Sequence, residues 1–216
     1  MIYRAVGNRC AVDFRALDLP ILRDEAIAVL REKGFHPLAI DLVALARTYV
    51  GNALYRRGAR LAEAPVFFDC SSMVKWLYGQ AGVWLPRRSI QQRERGVPVE
   101  LHECARGDII FMSGCIDYYL TDPMDGVGHV GITTGEGTII HAANSRQGII
   151  ENSVDDFLGC GATFRGARRL IPRREKDDAI VTFITPPERE VETSDDIRWI
   201  VLQSIEIAHQ ERSKRK

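Results

Sequence analysis

Gly128-His129-Val130-Gly131-Ile132-Thr133-Thr134-Gly135-Glu136-Gly137-Thr138-Ile139-Ile140-His141-Ala142-Ala143-Asn144 is the stretch on which the architecture turns. Two runs rich in Val, Ile and Thr flank Gly135-Glu136-Gly137, the pattern of a β-hairpin. A hairpin folded about residue 135 sets His129 opposite His141. Residues directly opposite share one face of the sheet, with Cβ atoms roughly 5 Å apart. Strand alternation then turns Val130 and Ile132 to the other face, toward a core. The pairing rests on register, which a slip of one residue would undo. A lone histidine is more often a hydrogen-bonded structural residue than a working one, but two that converge through a hairpin are a candidate acid–base pair.

Upstream, Phe67-Phe68-Asp69-Cys70-Ser71-Ser72-Met73-Val74-Lys75-Trp76-Leu77-Tyr78 predicts a helix beginning at Asp69 or Cys70, with Val74, Leu77, Tyr78 and Ala81 inward. Cys70 then sits in the first helical turn, with Asp69 as cap. Unpaired N–H groups and the positive end of the helix dipole lower a thiol's pKa there. That matters because an ordinary thiol, with a pKa of about 8.5, is mostly protonated at neutral pH. A helix-start cysteine alone is more readily a core residue than a nucleophile. With a base and a third group to hold that base, it becomes a Cys-His-His arrangement of Cys70, His129 and His141.

Helices precede the hairpin and strands surround it. Residues 22–33 have helical period, with Leu22, Ala26, Val29 and Leu30 on one side and Gly34 as a stop. Residues 38–50 predict a second helix led by Pro37. Residues 52–65 have no period. Short β-type runs follow at 108–112, 129–133, 138–142, 148–151 and 164–171. Helices first and an antiparallel sheet after give an α+β fold. From Pro172 the composition turns to charge and proline, and residues 195–216 again have helical period. The chain therefore divides into a helical lead-in (1–36), a main domain (37–171), and a charged linker with a C-terminal helix (172–216).

The 216 residues carry 29 Lys plus Arg and 29 Asp plus Glu, a formal net charge of zero that gives no support to a nucleic-acid partner. No run approaches the roughly 20 apolar residues of a membrane span. Arg4, Arg9, Asp13, Arg15 and Asp18 interrupt the start where an exported leader needs an apolar core, so the chain as written is expected to be cytoplasmic, with non-classical export or lysis as other routes outward. The five cysteines (Cys10, Cys70, Cys104, Cys115 and Cys160) are odd in number and contain no CxxC pair. Neither a structural zinc site nor any cofactor is expected, and Cys104 and Cys115 lack the spacing to join the histidines around a metal.

The order of these motifs resembles the NlpC-type family of papain-like cysteine peptidases, which act on bacterial cell-wall peptides. Tyr49-Val50-Gly51 through Tyr55 and Gly58 is similar to its leading segment, and Phe68-Asp69-Cys70-Ser71-Ser72 with Val74, Trp76 and Tyr78 to its nucleophile helix. Leu85-Pro86-Arg87 with Ser89, Gln92 and Gly96 resembles the next stretch, and Arg106-Gly107-Asp108-Ile109-Ile110-Phe111 the first sheet strand. Gly128-His129-Val130-Gly131-Ile132 and Ile140-His141-Ala142 resemble the strands of the base and the third residue. The likeness covers about residues 40–152. It implies a papain-like core of N-terminal helices packed on an antiparallel sheet, with Cys70 as nucleophile, His129 as base and His141 as orienter. By the same resemblance, Tyr55, Asp69 and Ser71 contact substrate, a peptidoglycan-derived peptide cut between γ-D-glutamate and a diamino acid.

The chain departs from the family at Ser72, where a glycine is usual, and in the length of residues 112–127, which read as a solvated loop. The same fold also serves amidases and acyltransferases with other substrates, and a non-catalytic binding module remains an alternative. The C-terminal helix is a candidate for docking on the domain or on a protein partner.

Overall fold

A computed structural model describes residues 1–159, 161–172 and 180–214; Cys160 and the charged run at 173–179 lie outside the described residues. In chain order the elements are β1 (Arg9–Asp13), α1 (Arg23–Glu32), β2 (His36–Leu38), α2 (Leu42–Arg47), β3 (Leu54–Tyr55), β4 (Phe67–Phe68), α3 (Cys70–Gln80) and α4 (Ser89–Arg93). There follow β5 (Val97–Val99), β6 (Ile109–Met112), β7 (His129–Thr133), β8 (Thr138–Asn144), β9 (Gly148–Ser153), α5 (Val154–Leu158), β10 (Phe164–Arg169), β11 (Ile180–Ile184) and α6 (Ser194–Lys214). They form two compact units, one of Asp41–Tyr78 with Leu85–Pro172, the other of Met1–Ile40, Gly79–Trp84 and the described part of Arg173–Lys216.

The first unit is built on a six-stranded sheet in the order β5-β10-β6-β7-β8-β9, every pair antiparallel. Its central strands β6, β7 and β8 are short apolar runs buried on both faces. Ile109, Phe111, Val130, Ile132, Ile140 and Ala142 fill one face without exposure. His129, Gly131, Ile139 and His141 share the other with Ile110, where Phe157 of α5 packs over them. Within this unit α2 packs on β8 and α4 on β10. Met73, Val74, Leu77 and Tyr78 form the buried side of α3, and the Tyr78 hydroxyl donates to the Gly107 carbonyl, tying the helix to the turn before β6.

The second expected helix is shorter than its period suggests. Residues 36–38 are extended, and α2 starts at Leu42 because Asp41 caps it, its carboxylate accepting from Val43 N at 3.0 Å and Ala44 N at 3.1 Å. The aperiodic segment after residue 52 folds back on itself, since β3 pairs in parallel with β4 and sets Tyr55 level with Phe68.

The second unit joins the two ends of the chain. β1 pairs with β11 from Arg9↔Ile184 to Asp13↔Ile180, and β2 takes the other side of β11. The flanks expected as a lead-in and a linker thus contribute strands to one three-stranded sheet. α1 and α6 cover it, and Val12, Leu17, Leu30, Phe35, Phe183, Ile197 and Val201 form its core. α6 docks through Ile197 and Val201, with Ile200 and Ile205 packed beside them. Gly82 has φ +70° and is within hydrogen-bond reach of β1 (Ala11 N to Gly82 O, 3.0 Å); a Cβ there would lie 2.6 Å from Ala11 N. Among the described residues no helix is long and apolar enough to cross a membrane.

Candidate active site

The β7–β8 hairpin places its histidines together, by a register two residues away from the expected one. Ile132 pairs with Ile140 and Thr133 with Ile139, so the turn centres on Glu136 and continuation of the ladder sets His141 opposite Gly131. The glycines explain the centre: Gly135 and Gly137 both take positive φ, at +76° and +80°, and Thr134 N donates to Thr138 O across them at 3.0 Å. A two-residue shift leaves every side chain on its original face, because the period of a strand is two. His129 and His141 are therefore diagonal neighbours, a separation that rings can span. Their Nε2 and Nδ1 atoms lie 2.7 Å apart, with the rings edge to face at 85°. Gly131 leaves the space, since a Cβ there would stand 2.8 Å from Ile139 and 3.2 Å from His141 Cβ.

At the start of α3, Asp69 and Ser72 cap each other. The Asp69 carboxylate accepts from Ser72 N at 2.8 Å, and the Ser72 hydroxyl accepts from Asp69 N at 2.8 Å. This is a reciprocal capping box closed by serine instead of the usual glutamate, and it gives the hydroxyl at position 72 its structural purpose. Arg87 braces the same carboxylate at 3.1 Å and at 2.5 Å, donates to the Ser71 hydroxyl at 2.8 Å and to the Ala59 carbonyl at 2.8 Å. Gly58 N adds a further bond to Asp69 at 3.0 Å. Asp69 and Ser71, each 7% exposed, thus have their polar atoms committed to the helix start.

Cys70 lies against the start of β7, with the N–H groups of Val130 and Ser71 directed at its sulfur. Burial nevertheless pushes its thiol up to about 11, helped by the Asp69 carboxylate and only partly opposed by those N–H groups and Arg87. The lowering expected from the helix start is outweighed by desolvation. Burial drives His129 down to about 3, with His141 acting in the same direction and Asp69 against it. His141 falls to about 4 by burial, opposed by the Asn152 side chain. At neutral pH the groups are a neutral thiol and two neutral imidazoles. His129 can therefore accept a proton, and Cys70 must lose one as it attacks.

Tyr55 joins this cluster through the β3–β4 pairing, which sets it beside Phe68, two residues before the thiol. Burial and the neighbouring Cys70 and Asp69 raise its phenol. The 112–127 segment is an ordered loop: Arg93 grips Asp125 through two bonds of 2.7 and 2.6 Å, Asp117 accepts from Gly114 N at 2.7 Å, and Tyr118 interacts with the Arg57 side chain. Among the described residues no group of three or more His, Cys, Asp or Glu side chains converges as metal ligands. Arg87, Phe157 and Asn152 also belong to the site: no local pattern in the sequence marks the role of Arg87, and Phe157 and Asn152 follow only from the strand register.

An α+β unit in which a helix-start cysteine accepts the N–H that follows one of two paired histidines on an antiparallel sheet has papain-like architecture. Residues 52–159 match the model of the NlpC/P60 family, half of the chain, and the chain belongs to that family. It is 39% identical over 115 residues to a probable endopeptidase of Corynebacterium glutamicum, covering 53% of this chain and 47% of that protein. It is 35% identical over 112 residues to a peptidoglycan DL-endopeptidase of Bacillus licheniformis, covering 50% of this chain and 23% of that one. The chain spans about half the length of the Corynebacterium relative, and less of the Bacillus one. A solved NlpC/P60 family protein from Bacillus cereus superposes with a TM-score of 0.50 at 25% identity, covering 61% of this chain and 40% of that one.

Proposed function

We propose that the chain is a cysteine peptidase of peptidoglycan-type peptides, with Cys70 as nucleophile, His129 as general base and His141 as the residue that holds the base. The observation that carries this reading is the 2.7 Å contact between the two rings. It occupies His129 Nε2 and leaves Nδ1 for the thiol, on a strand whose next N–H is directed at Cys70. As Cys70 Sγ bonds to the amide carbonyl carbon, its proton passes to His129. The C–N bond then breaks and His129 returns that proton to the departing amine, leaving a thioester. Water attacks the thioester, giving a proton to His129, and the carboxylic acid leaves as the thiol is restored. The Cys70 N–H, a first-turn donor with no partner inside the helix, serves the carbonyl oxygen as it gains charge.

The family and the names of the endopeptidase relatives support a cell-wall peptide as substrate, and the DL-endopeptidase supports a bond between residues of opposite hand. We assign the cut to the bond between γ-D-glutamate and the diamino acid. Tyr55 borders the substrate side of the thiol. Asp69 and Ser71 act by holding the guanidinium of Arg87, whose side chain is 38% exposed and is the part of that cluster a substrate would meet.

Incubation with defined muropeptides followed by mass spectrometry tests this, with Cys70→Ala as control. Two fragments separated at the γ-D-glutamyl bond, absent with the variant, are the expected result. Cleavage that survives Cys70→Ala, or an untouched muropeptide panel, rejects the reading.

A further inference from the structure

A line of polar side chains crosses three neighbouring strands of the sheet. His129 stands on β7, His141 on β8 and Asn152 on β9. Asn152 pairs with Ile139, which shares a face with His141 two residues on, so Asn152 is the diagonal neighbour of His141 on one side as His129 is on the other. The ring of His141 is buried, and its Nδ1 is taken by His129. Its Nε2 is buried without a hydrogen-bond partner, and so is Asn152 Oδ1. Such atoms are few in a folded protein and each asks for an explanation. The Asn152 side chain is also the group that acts on the His141 ring against its burial. Bringing the two orphaned atoms to hydrogen-bond distance satisfies both at once.

We propose that Asn152 is a positioning residue that sets the proton order of the histidine relay, its Oδ1 accepting the N–H of His141 Nε2. A neutral imidazole has one donor and one acceptor nitrogen, so each choice fixes the next. With its proton on Nε2, His141 offers Nδ1 as acceptor to the N–H of His129 Nε2. His129 then keeps a bare lone pair on Nδ1, the nitrogen left for the Cys70 proton. The reverse order follows if the amide presents its NH2 group instead. His141 would carry its proton on Nδ1 and donate it to His129 Nε2, and His129 would hold its own proton on Nδ1, where it cannot act as base. The ring contact alone does not decide between these states; the third group does. Of the other ionisable groups, Asp69 acts on His129 and Cys70 accepts from the N–H of the next residue, Val130; neither selects a tautomer of His141.

This inference rests on the reading of His129 as the base toward Cys70, and its test is chosen to separate the two. Imidazole 15N shifts of the full chain, recorded without substrate, report which nitrogen of each ring is protonated. The wild type is expected to show both His129 and His141 protonated on Nε2. Asn152→Leu should mix or reverse these tautomers and slow iodoacetamide alkylation of Cys70 at pH 7 at least about ten-fold, read on the Cys70 peptide by mass spectrometry. Asn152→Asp keeps the acceptor and should retain the tautomers, with its alkylation profile moved to higher pH because a carboxylate favours the imidazolium. A wild-type His141 protonated on Nδ1 overturns the proposal whether or not any variant folds, as does a folded Asn152→Leu with unchanged shifts and unchanged alkylation. If the tautomers respond as expected while no muropeptide is cut, the relay stands and the substrate assignment fails.

Discussion

His129 Nε2 lies 2.7 Å from His141 Nδ1, although the residue facing His141 across the hairpin is Gly131. The contact exists because that facing position carries no side chain. Gly131→Ala would place a methyl 2.8 Å from Ile139 and 3.2 Å from His141 Cβ, both in a buried layer. Overpacking of this kind costs about 1–3 kcal/mol. The variant should melt several degrees lower and lose peptidase activity through displacement of His141. Wild-type melting and turnover together would show that the space is not needed.

Ser72→Gly removes the hydroxyl that accepts from Asp69 N, leaving a buried donor without its partner. The loss is expected at about 1–2 kcal/mol, seen as a lower urea midpoint with an unchanged slope. An unaltered midpoint would mean that Asp69 N finds another acceptor.

Local period exposed the parts of the site that lie on single elements. Cys70 at a helix start, Asp69 as cap, and the shared face of His129 and His141 all follow from patterns within a dozen residues. The turn centres on Glu136 and not on Gly135, which moves the register by two residues, and the face is unchanged because the shift is even. Asn152 could be found only once β9 was aligned on β8, since diagonal partners depend on register. Arg87 reaches Asp69 by side-chain length, which no periodicity reports. The pairing of Cys10 with Phe183 joins distant parts of the chain, and a three-residue β2 carries too little pattern to reveal its partner. Residues 114–125 are largely exposed, as their polar character indicates, and only the tie of Asp125 to Arg93 is beyond a reading of composition.

That loop supplies its own prediction. The Arg93 guanidinium is 9% exposed and bonds both carboxylate oxygens of Asp125. Asp125→Ala leaves the buried Arg93 cation with Glu94 and the backbone carbonyl of residue 125 alone, and should lower stability by about 1–2 kcal/mol. Limited proteolysis should then cut within residues 113–127 faster than in the wild type. Equal digestion rates would place the loop's order elsewhere, for instance in the Asp117 bond to Gly114.

Acid should unfold the protein through its paired histidines. His129 and His141 fall to about 3 and about 4 in the fold, whereas an unfolded histidine titrates near 6.5. Between those limits the unfolded chain binds the more protons, so stability is full above about pH 6.5 and declines as pH falls toward the folded values. Each ring contributes a slope of at most about 1.4 kcal/mol per pH unit. The lowered carboxyls of Asp41, Asp125 and Glu151 act in the same direction, but only below the ordinary carboxylate range. Melting temperatures between pH 7.5 and 5 therefore isolate the histidines. His141→Gln removes one of the two titrating rings and should roughly halve the decline over that interval. Equal slopes for the variant and the wild type would mean that the His141 ring is not held neutral, and the acid–base order drawn for Cys70, His129 and His141 would fall with it.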